Sequence, residues 1–159
     1  MSKSTTKPFV RAVTPFLWLD GKAEDAAKAY TSLFADSRIV EVTRAGGGVQ
    51  SATIVLAGQR YILFNGGPHY KLTPAFSLLV YCDTQEEIDY YWDKLSEGGT
   101  EVQCGWLTDK FGLSWQLVPK VFTKLISSGD AERTNRVMQA LFGMKKIIIA
   151  DLQRAYDGN

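Results

Sequence analysis

Apolar positions along the chain follow a pattern that predicts two copies of one unit of strands and a helix. In the first copy, β-branched and aromatic residues at 10–19 predict a strand, and residues 23–34 carry an apolar stripe at helical spacing. Strands are predicted at 38–43, 49–56 and 60–65, with glycine-containing turns between them. The predicted order is therefore strand, helix, strand, strand, strand.

The same order begins again after residues 66–74, which have the composition of a linker. A strand is predicted at 76–82, and Thr84 with Glu87 forms a capping-box signature at the start of a second helix. A strand at 113–118 closes the copy, after the turn Asp109-Lys110-Phe111-Gly112. Residues 99–109 leave little room for both middle strands and the long loop between them, so we expect part of the sheet to be missing.

After residue 119 the pattern becomes helical. An apolar stripe predicts a short helix, Asp130 can cap a second one, and a last helical turn is expected to end at Tyr156. We therefore expect a disordered tail, a domain of two modules and a helical extension that packs on the same domain or on a dimer partner; these segments span residues 1–9, 10–119 (as 10–65 and 74–119) and 120–159.

Composition narrows the class of protein. The 159 residues are 45% apolar and 22% charged with a net charge of +1, which is typical of a soluble globular domain. Both signs of charge are scattered, and no long apolar segment is present, so neither nucleic acid nor a membrane is an expected partner. Two cysteines without metal-type spacing favour reduced thiols and a cytoplasmic protein.

Four motifs resemble the PhnB-like branch of the vicinal oxygen chelate superfamily, which includes glyoxalases, bleomycin-resistance proteins and dioxygenases. The branch is often labelled demethylubiquinone methyltransferase-like, and the motifs are Phe64-Asn65-Gly66-Gly67-Pro68, Cys104-Gly105-Trp106, Asp109-x-x-Gly112-x-x-Trp115-Gln116 and Met144-Lys145-Lys146. The resemblance implies an α+β fold in which paired β-α-β-β-β modules form a cupped mixed sheet, followed by a helical C-terminal extension. It also implies a homodimer.

The resemblance places Gln116 where most of the superfamily has a glutamate that binds a divalent metal. The other positions implied by the resemblance are apolar near Val13 and Phe76, and the closing strand of the first module offers Phe64 or Asn65. Neutral amides displace water from Zn, Mn or Fe poorly without imidazole, thiolate or carboxylate ligands. We therefore expect no metal and no cofactor.

Alternation along the closing strand puts Trp115 and Gln116 on opposite faces. The resemblance implies that Gln116 projects into the cavity and that Trp115 packs beneath the helices; the alternative is a solvated Gln116 on an outer face. The ligand-binding candidates are Gln116, Trp106, His69, Asn65, Trp18 and Cys104. Each also has a structural interpretation, since tryptophans are usually core residues, a lone loop histidine is usually solvated, and a cysteine without a basic neighbour is usually a small core residue.

Two classes of function follow. The first is a protein that binds a small organic molecule in the cup without a tightly bound catalytic metal, as bleomycin-resistance proteins do. The alternative is a lyase, isomerase or dioxygenase of the vicinal oxygen chelate type, metal-dependent in most cases. Methyl transfer is not expected, because the glycine run 46–48 lies between two predicted strands and does not open a helix, as a cofactor-binding loop would.

Overall fold

The computed structural model describes residues 13–159, and the chain divides between Gly67 and Pro68 into two compact units. The tail predicted at 1–9 lies outside the described residues, as do the first residues of the strand predicted at 10–19. Unit 1 ends at Gly67, and unit 2 comprises Pro68 to Asn159.

Unit 1 is a β-α-β-β-β module, as predicted. It consists of β1 (Phe16–Leu19), α1 (Ala23–Leu33), β2 (Arg38–Ala45), β3 (Gly48–Leu56) and β4 (Gln59–Asn65). The sheet order is β1-β4-β3-β2, with β1 parallel to β4 and the other pairs antiparallel. The unit is therefore a mixed sheet in which the last strand lies beside the first.

The first strand is shorter than predicted. It begins at Phe16, and residues 13–15 are not in strand conformation. Pro15 has no N–H to donate to the sheet, although its carbonyl oxygen accepts a hydrogen bond of 3.0 Å from Ile62 N. The proline therefore marks the beginning of β1.

One face of the unit 1 sheet is covered by α1. The small side chains of Ala23, Ala26 and Ala27 are fully buried, which lets the helix pack closely against β3 and β4. We call this side of the sheet the helix face and the opposite side the open face, and we use the same two terms in unit 2.

Unit 2 begins with the same module. It contains β5 (Ser77–Cys82), α2 (Gln85–Ser96), β6 (Thr100–Glu101), β7 (Trp106–Thr108) and β8 (Ser114–Pro119), in the sheet order β5-β8-β7-β6. Both middle strands are present but have only two and three residues. The second sheet is thus a complete but shortened copy of the first, whereas the sequence spacing predicted that part of it would be missing.

The predicted cap of α2 forms with one difference. Thr84 Oγ1 accepts a hydrogen bond of 3.3 Å from Glu87 N, as a capping box requires. The returning bond of 2.6 Å runs from Asp83 N to Glu87 Oε2, one residue earlier than in the standard box. Two backbone N–H groups at the start of α2 therefore donate to side-chain oxygen atoms.

The C-terminal extension forms three helices, α3 (Lys120–Ile126), α4 (Ala131–Phe142) and α5 (Ile149–Asp157). Its buried apolar residues form one cluster of Leu125, Val137, Leu141, Ile147 and Leu152. The extension is attached to the rest of unit 2 through backbone bonds of 2.7 and 2.8 Å, from Cys104 N to Met144 O and from Gly105 N to Lys145 O. These observations establish an α+β protein with a helical extension, as predicted.

Candidate functional site

The strand register in unit 2 determines which side chains share the open face. Leu79 pairs with Gln116 across β5 and β8, and Trp106 pairs with Gln116 across β7 and β8. Paired residues project to the same side of a sheet. The open face of unit 2 therefore carries the side chains of alternate residues on its four strands, namely Ser77, Leu79, Tyr81, Thr100, Trp106, Thr108, Ser114, Gln116 and Val118.

Gln116 lies at the centre of this face. Its Nε2 donates a hydrogen bond of 2.8 Å to Ser77 Oγ, and its neighbours across the strands are Leu79 and Trp106. Gln116 and Trp106 are half-buried, whereas Leu79 and Tyr81 are exposed. The structure thus brings two of the predicted site residues, Gln116 and Trp106, side by side.

Trp115 occupies the helix face and is 1% exposed. Its Nε1 donates a hydrogen bond of 2.8 Å to Asp109 Oδ2, while Asp109 Oδ1 accepts from Phe111 N at 2.8 Å and from Leu113 N at 3.1 Å. The carboxylate therefore joins the turn before β8 to the indole inside the core. The turn was predicted from the sequence but this bond was not, although the spacing Asp-x-x-Gly-x-x-Trp contains both partners.

In unit 1, Trp18 is half-buried on the open face. Its ring meets Phe64 edge-on with centroids 5.2 Å apart, and its Nε1 donates a hydrogen bond of 2.8 Å to Gly67 O. A Cβ atom on Gly66 would stand 2.1 Å from the Trp18 ring. Residue 66 must therefore be glycine for this tryptophan to keep its place.

Asn65 lies on the helix face of unit 1, because its partner in the register is the buried Leu19. Its Oδ1 accepts a hydrogen bond of 2.9 Å from Ala23 N at the start of α1, and its Nδ2 donates one of 3.0 Å to Val49 O. Both ends of the amide are therefore engaged within the unit, which is the arrangement expected of a helix-capping residue.

A pocket of about 440 Å³ opens beside Asn65 and is lined by Gly21, Glu24, Asp25, Gly48, Val49 and Asn65. Glu24 forms ion pairs with Lys28 at 2.9 Å and with Arg44 at 3.2 Å. The hydrogen bond from Lys28 lowers the pKa of Glu24 most, with a further contribution from the charge of Arg44. The charge of Glu24 is thus already balanced by basic side chains of unit 1.

The last two candidates do not lie beside Gln116 in the sheet register. His69 is exposed in the loop that precedes β5. Cys104 has a positive φ of 62° and packs against the apolar cluster of the extension. The other thiol, Cys82, is buried on the helix face, where desolvation and then the charges of Glu87 and Asp83 raise its pKa to about 11.

Metal-ligating side chains do not cluster in the described part of the chain. No group of three or more His, Cys, Asp and Glu side chains with metal-binding geometry occurs within residues 13–159. Ile62 is the unit 1 counterpart of Gln116. Ile62 pairs with Phe16, three residues before the end of β1, and Gln116 pairs with Leu79, three residues before the end of β5. The family resemblance implied Phe64 or Asn65 at this position, whereas the strand register gives Ile62.

Proteins of known structure share this fold. A family profile described as 3-demethylubiquinone-9 3-methyltransferase matches residues 11–118. A PhnB protein from Bacillus cereus that carries the same description is 38% identical over 69% of this chain and 99% of its own, with a TM-score of 0.65. No curated protein matches the chain.

Two more distant structures share the fold alone. Protein PA1353 from Pseudomonas aeruginosa is 18% identical over 67% of this chain and 96% of its own, with a TM-score of 0.55. A mutant of the fosfomycin resistance protein FosX from Listeria monocytogenes, complexed with Mn(II) and 1S,2S-dihydroxypropylphosphonic acid, is 11% identical over 69% of this chain and 93% of its own, with a TM-score of 0.51. Within residues 13–159, no helix has the length and apolarity needed to cross a membrane.

Proposed function

The chain belongs to the family described as 3-demethylubiquinone-9 3-methyltransferase, a PhnB-like branch of the vicinal oxygen chelate superfamily, and we propose that it binds a small organic molecule on the open face of unit 2 without a tightly bound metal. The observation that supports this proposal is the position of Gln116 between Leu79 and Trp106 on a partly exposed sheet face. A polar group surrounded by apolar and aromatic side chains is the usual composition of a small-molecule site.

Gln116 can bond a ligand without losing its place. Its only hydrogen bond to the described residues is the one from Nε2 to Ser77, so Oε1 has no donor from residues 13–159. Gln116 is half-buried, and no side-chain N or O atom among residues 13–159 is both buried and without a partner. An accessible amide oxygen held in a fixed position can accept a hydrogen bond from a bound molecule.

The methyltransferase description is not supported by the local chemistry. Gly46 and Gly47 have φ values of 61° and 83° and form the tight turn between Ala45 and Gly48, where β2 meets β3. A glycine loop that binds a nucleotide-type cofactor instead lies between a strand and a helix, where helix N–H groups point at the ligand. We therefore infer binding, and not methyl transfer, for this protein.

The proposal can be tested by thermal shift against a library of small organic molecules. A ligand at about 100 times its Kd stabilises the native state by about 2.7 kcal/mol, which corresponds to a Tm increase of roughly 5–10 °C for a domain of this size. The matched control is Gln116→Leu, which keeps the size of the side chain and removes the amide. Compounds that raise the Tm of both proteins equally would place binding elsewhere.

Metal analysis of protein purified without chelator separates the binder from the alternative enzyme. We expect less than stoichiometric Zn, Mn, Fe and Ni, because a neutral amide in unit 2 and Ile62 in unit 1 are weak metal ligands or none. A stoichiometric metal, retained on dialysis and lost in Gln116→Leu, would favour a metal-dependent lyase, isomerase or dioxygenase.

We also propose a cytoplasmic homodimer. Both cysteines of the chain are free, as expected for a reducing compartment. The strand β5 lies at an edge of its sheet, and its unpaired backbone edge would gain from being covered by a second chain. Light scattering at micromolar concentration should give twice the mass of one chain, and a monomer would contradict the dimer.

A further inference from the structure

The open face of unit 2 carries no charged side chain at the strand positions that define it. Its members are serine, threonine, leucine, valine, tyrosine, tryptophan and glutamine residues of β5, β6, β7 and β8. The one acidic residue of these strands, Glu101, pairs with Leu107 on the helix face and accepts a hydrogen bond of 2.9 Å from Trp92 Nε1. The strand positions of this face therefore offer a ligand only neutral groups.

The absence of charge is a property of this face and not of the duplicated fold. In unit 1 the open face carries Arg38 and Arg60, which flank Val55 from the two neighbouring strands, and Glu41, which pairs with Thr53. Three charged residues directly follow strands of unit 2. Asp83 and Lys120 form an ion pair of 2.8 Å with each other, and Asp109 accepts a hydrogen bond of 2.8 Å from Trp115 Nε1 on the helix face. Each is thus already engaged within the chain.

From this pattern, and resting on the proposed function, we propose that the ligand is an uncharged molecule with a flat apolar body and one amide, carbonyl or hydroxyl group. The Gln116 amide and the Ser77 hydroxyl would bind the polar group, and the Trp106 ring would contact the apolar body. Moving an ion out of water onto a neutral face is unfavourable unless a partner of opposite charge compensates for the lost hydration. The face therefore discriminates against anions and cations alike.

The pair of Gln116 and Ser77 suits either kind of neutral polar group. A serine hydroxyl can donate or accept, so the amide can keep its bond to Ser77 with either its nitrogen or its oxygen. The other end of the amide is then an acceptor for a ligand hydroxyl or N–H, or a donor for a ligand carbonyl. In Ser77→Ala the hydrogen bond that holds the amide in either orientation is lost.

Three probes with one ring system test the inference: indole-3-acetamide, which is neutral, indole-3-acetate, an anion, and tryptamine, a cation. The side-chain amide signal of Gln116 and the indole N–H signal of Trp106, followed by NMR during titration, report binding at this face. We expect indole-3-acetamide to shift both signals saturably with a Kd at least about tenfold below those of the two ions, a difference of about 1.4 kcal/mol.

Gln116→Glu provides the reversal test. A carboxylate at this position should make tryptamine the tightest of the three probes and weaken indole-3-acetate further. The matched control is Gln153→Glu, which adds the same charge at an exposed position of α5 and should leave the order of the probes unchanged. Thermal melts of both variants establish that each is folded.

The outcomes separate this inference from the proposed function. If indole-3-acetate or tryptamine binds the wild-type face as tightly as indole-3-acetamide, selection for neutral ligands is wrong, while binding at Gln116 stands. If no probe and no library compound shifts the signals of Gln116 and Trp106, the proposed function fails together with the inference. A probe order that does not change in Gln116→Glu would also overturn the assignment of Gln116 as the polar contact.

Discussion

Asp109→Asn should destabilise the protein although it changes one atom of the side chain. Asp109 is 5% exposed, and its carboxylate accepts hydrogen bonds on Oδ1 from two backbone N–H groups and on Oδ2 from Trp115 Nε1. An asparagine can present its oxygen to the two backbone donors, but its NH₂ group then faces the indole N–H. Two donors would be opposed inside the core, with no water to separate them.

The magnitude follows from the bonds that are lost. Losing a hydrogen bond to a charged group costs about 1.5–3 kcal/mol, and the two backbone bonds weaken because their acceptor becomes neutral. We expect Asp109→Asn to lower the free energy of unfolding by about 2–4 kcal/mol, or the Tm by roughly 4–16 °C. Asp109→Ala removes all three bonds and should cost about 3–5 kcal/mol.

Urea unfolding followed by far-UV circular dichroism measures these differences, and Trp115→Phe is the control. The phenyl ring lacks the N–H, so the double-mutant cycle isolates the bond between Asp109 and Trp115 from the cavity that the smaller ring leaves. In the Trp115→Phe background, Asp109→Asn should cost less by about 1.5 kcal/mol or more. Slow hydrogen exchange of the Trp115 indole N–H gives an independent local measure.

A small effect would refute this account of the motif. If Asp109→Asn changes the free energy of unfolding by less than about 0.5 kcal/mol, the value typical of an unconnected surface site, the carboxylate does not anchor the turn. A cycle with no coupling between Asp109 and Trp115 would lead to the same conclusion, even if both single variants were unstable.

Three further predictions use variants or labels that report on one property each. Gly66→Ala should displace the Trp18 ring and lower the Tm, whereas Trp18→Phe should restore part of the loss, as thermal melts of the single and double variants can show. Trp115→Ala should cost about 3–5 kcal/mol in urea unfolding and Gln116→Ala less than about 1, because only the first side chain is core. Cys82, with a pKa of about 11, should resist iodoacetamide at pH 8, where about one thiol in a thousand is ionised, and labelling of the native protein at the rate of a free thiol would contradict this.

The titration of Cys82 has a defined sign. The folded state raises the pKa of this thiol above its ordinary value of 9.0, so it holds the proton more tightly than the unfolded chain does. The contribution to stability is therefore complete below pH 9 and is lost as the pH rises towards about 11. Tyr61 and Tyr91, whose pKa values are raised by burial, act in the same direction at higher pH.

The duplicated module could be predicted because its signals are local. Alternation of period two and the apolar stripes of period 3.6 are set by backbone geometry, and they are visible in both units. They failed at β6 and β7, whose two and three residues are too few to show a period. Alternation also placed Trp115 and Gln116 on opposite faces, with the tryptophan buried. What remained open was which interactions hold each motif in place.

Those interactions connect residues that are distant in the chain. Asn65 caps α1 across 42 positions, and Gln85 bonds Ile149 N at 2.8 Å and Ile147 O at 3.1 Å across more than 60. No spacing rule connects such partners, because they meet only after the sheet and the extension have formed. Asp109 and Trp115 are the exception, since six positions separate them.

Residues of all four motifs that carry the family resemblance take part in folding. Asn65 and Gly66 fix the start of α1 and the place of Trp18, Asp109 anchors the turn to the core, and Met144 with Lys145 receives the backbone bonds that attach the extension. Residues with such roles stabilise a fold and do not by themselves define a reaction. Gln116 is the motif residue whose amide is not consumed by the fold, since it shares one bond with Ser77 and faces away from the core. Differences of function within this family should therefore be sought at this position and at its neighbours on the open face.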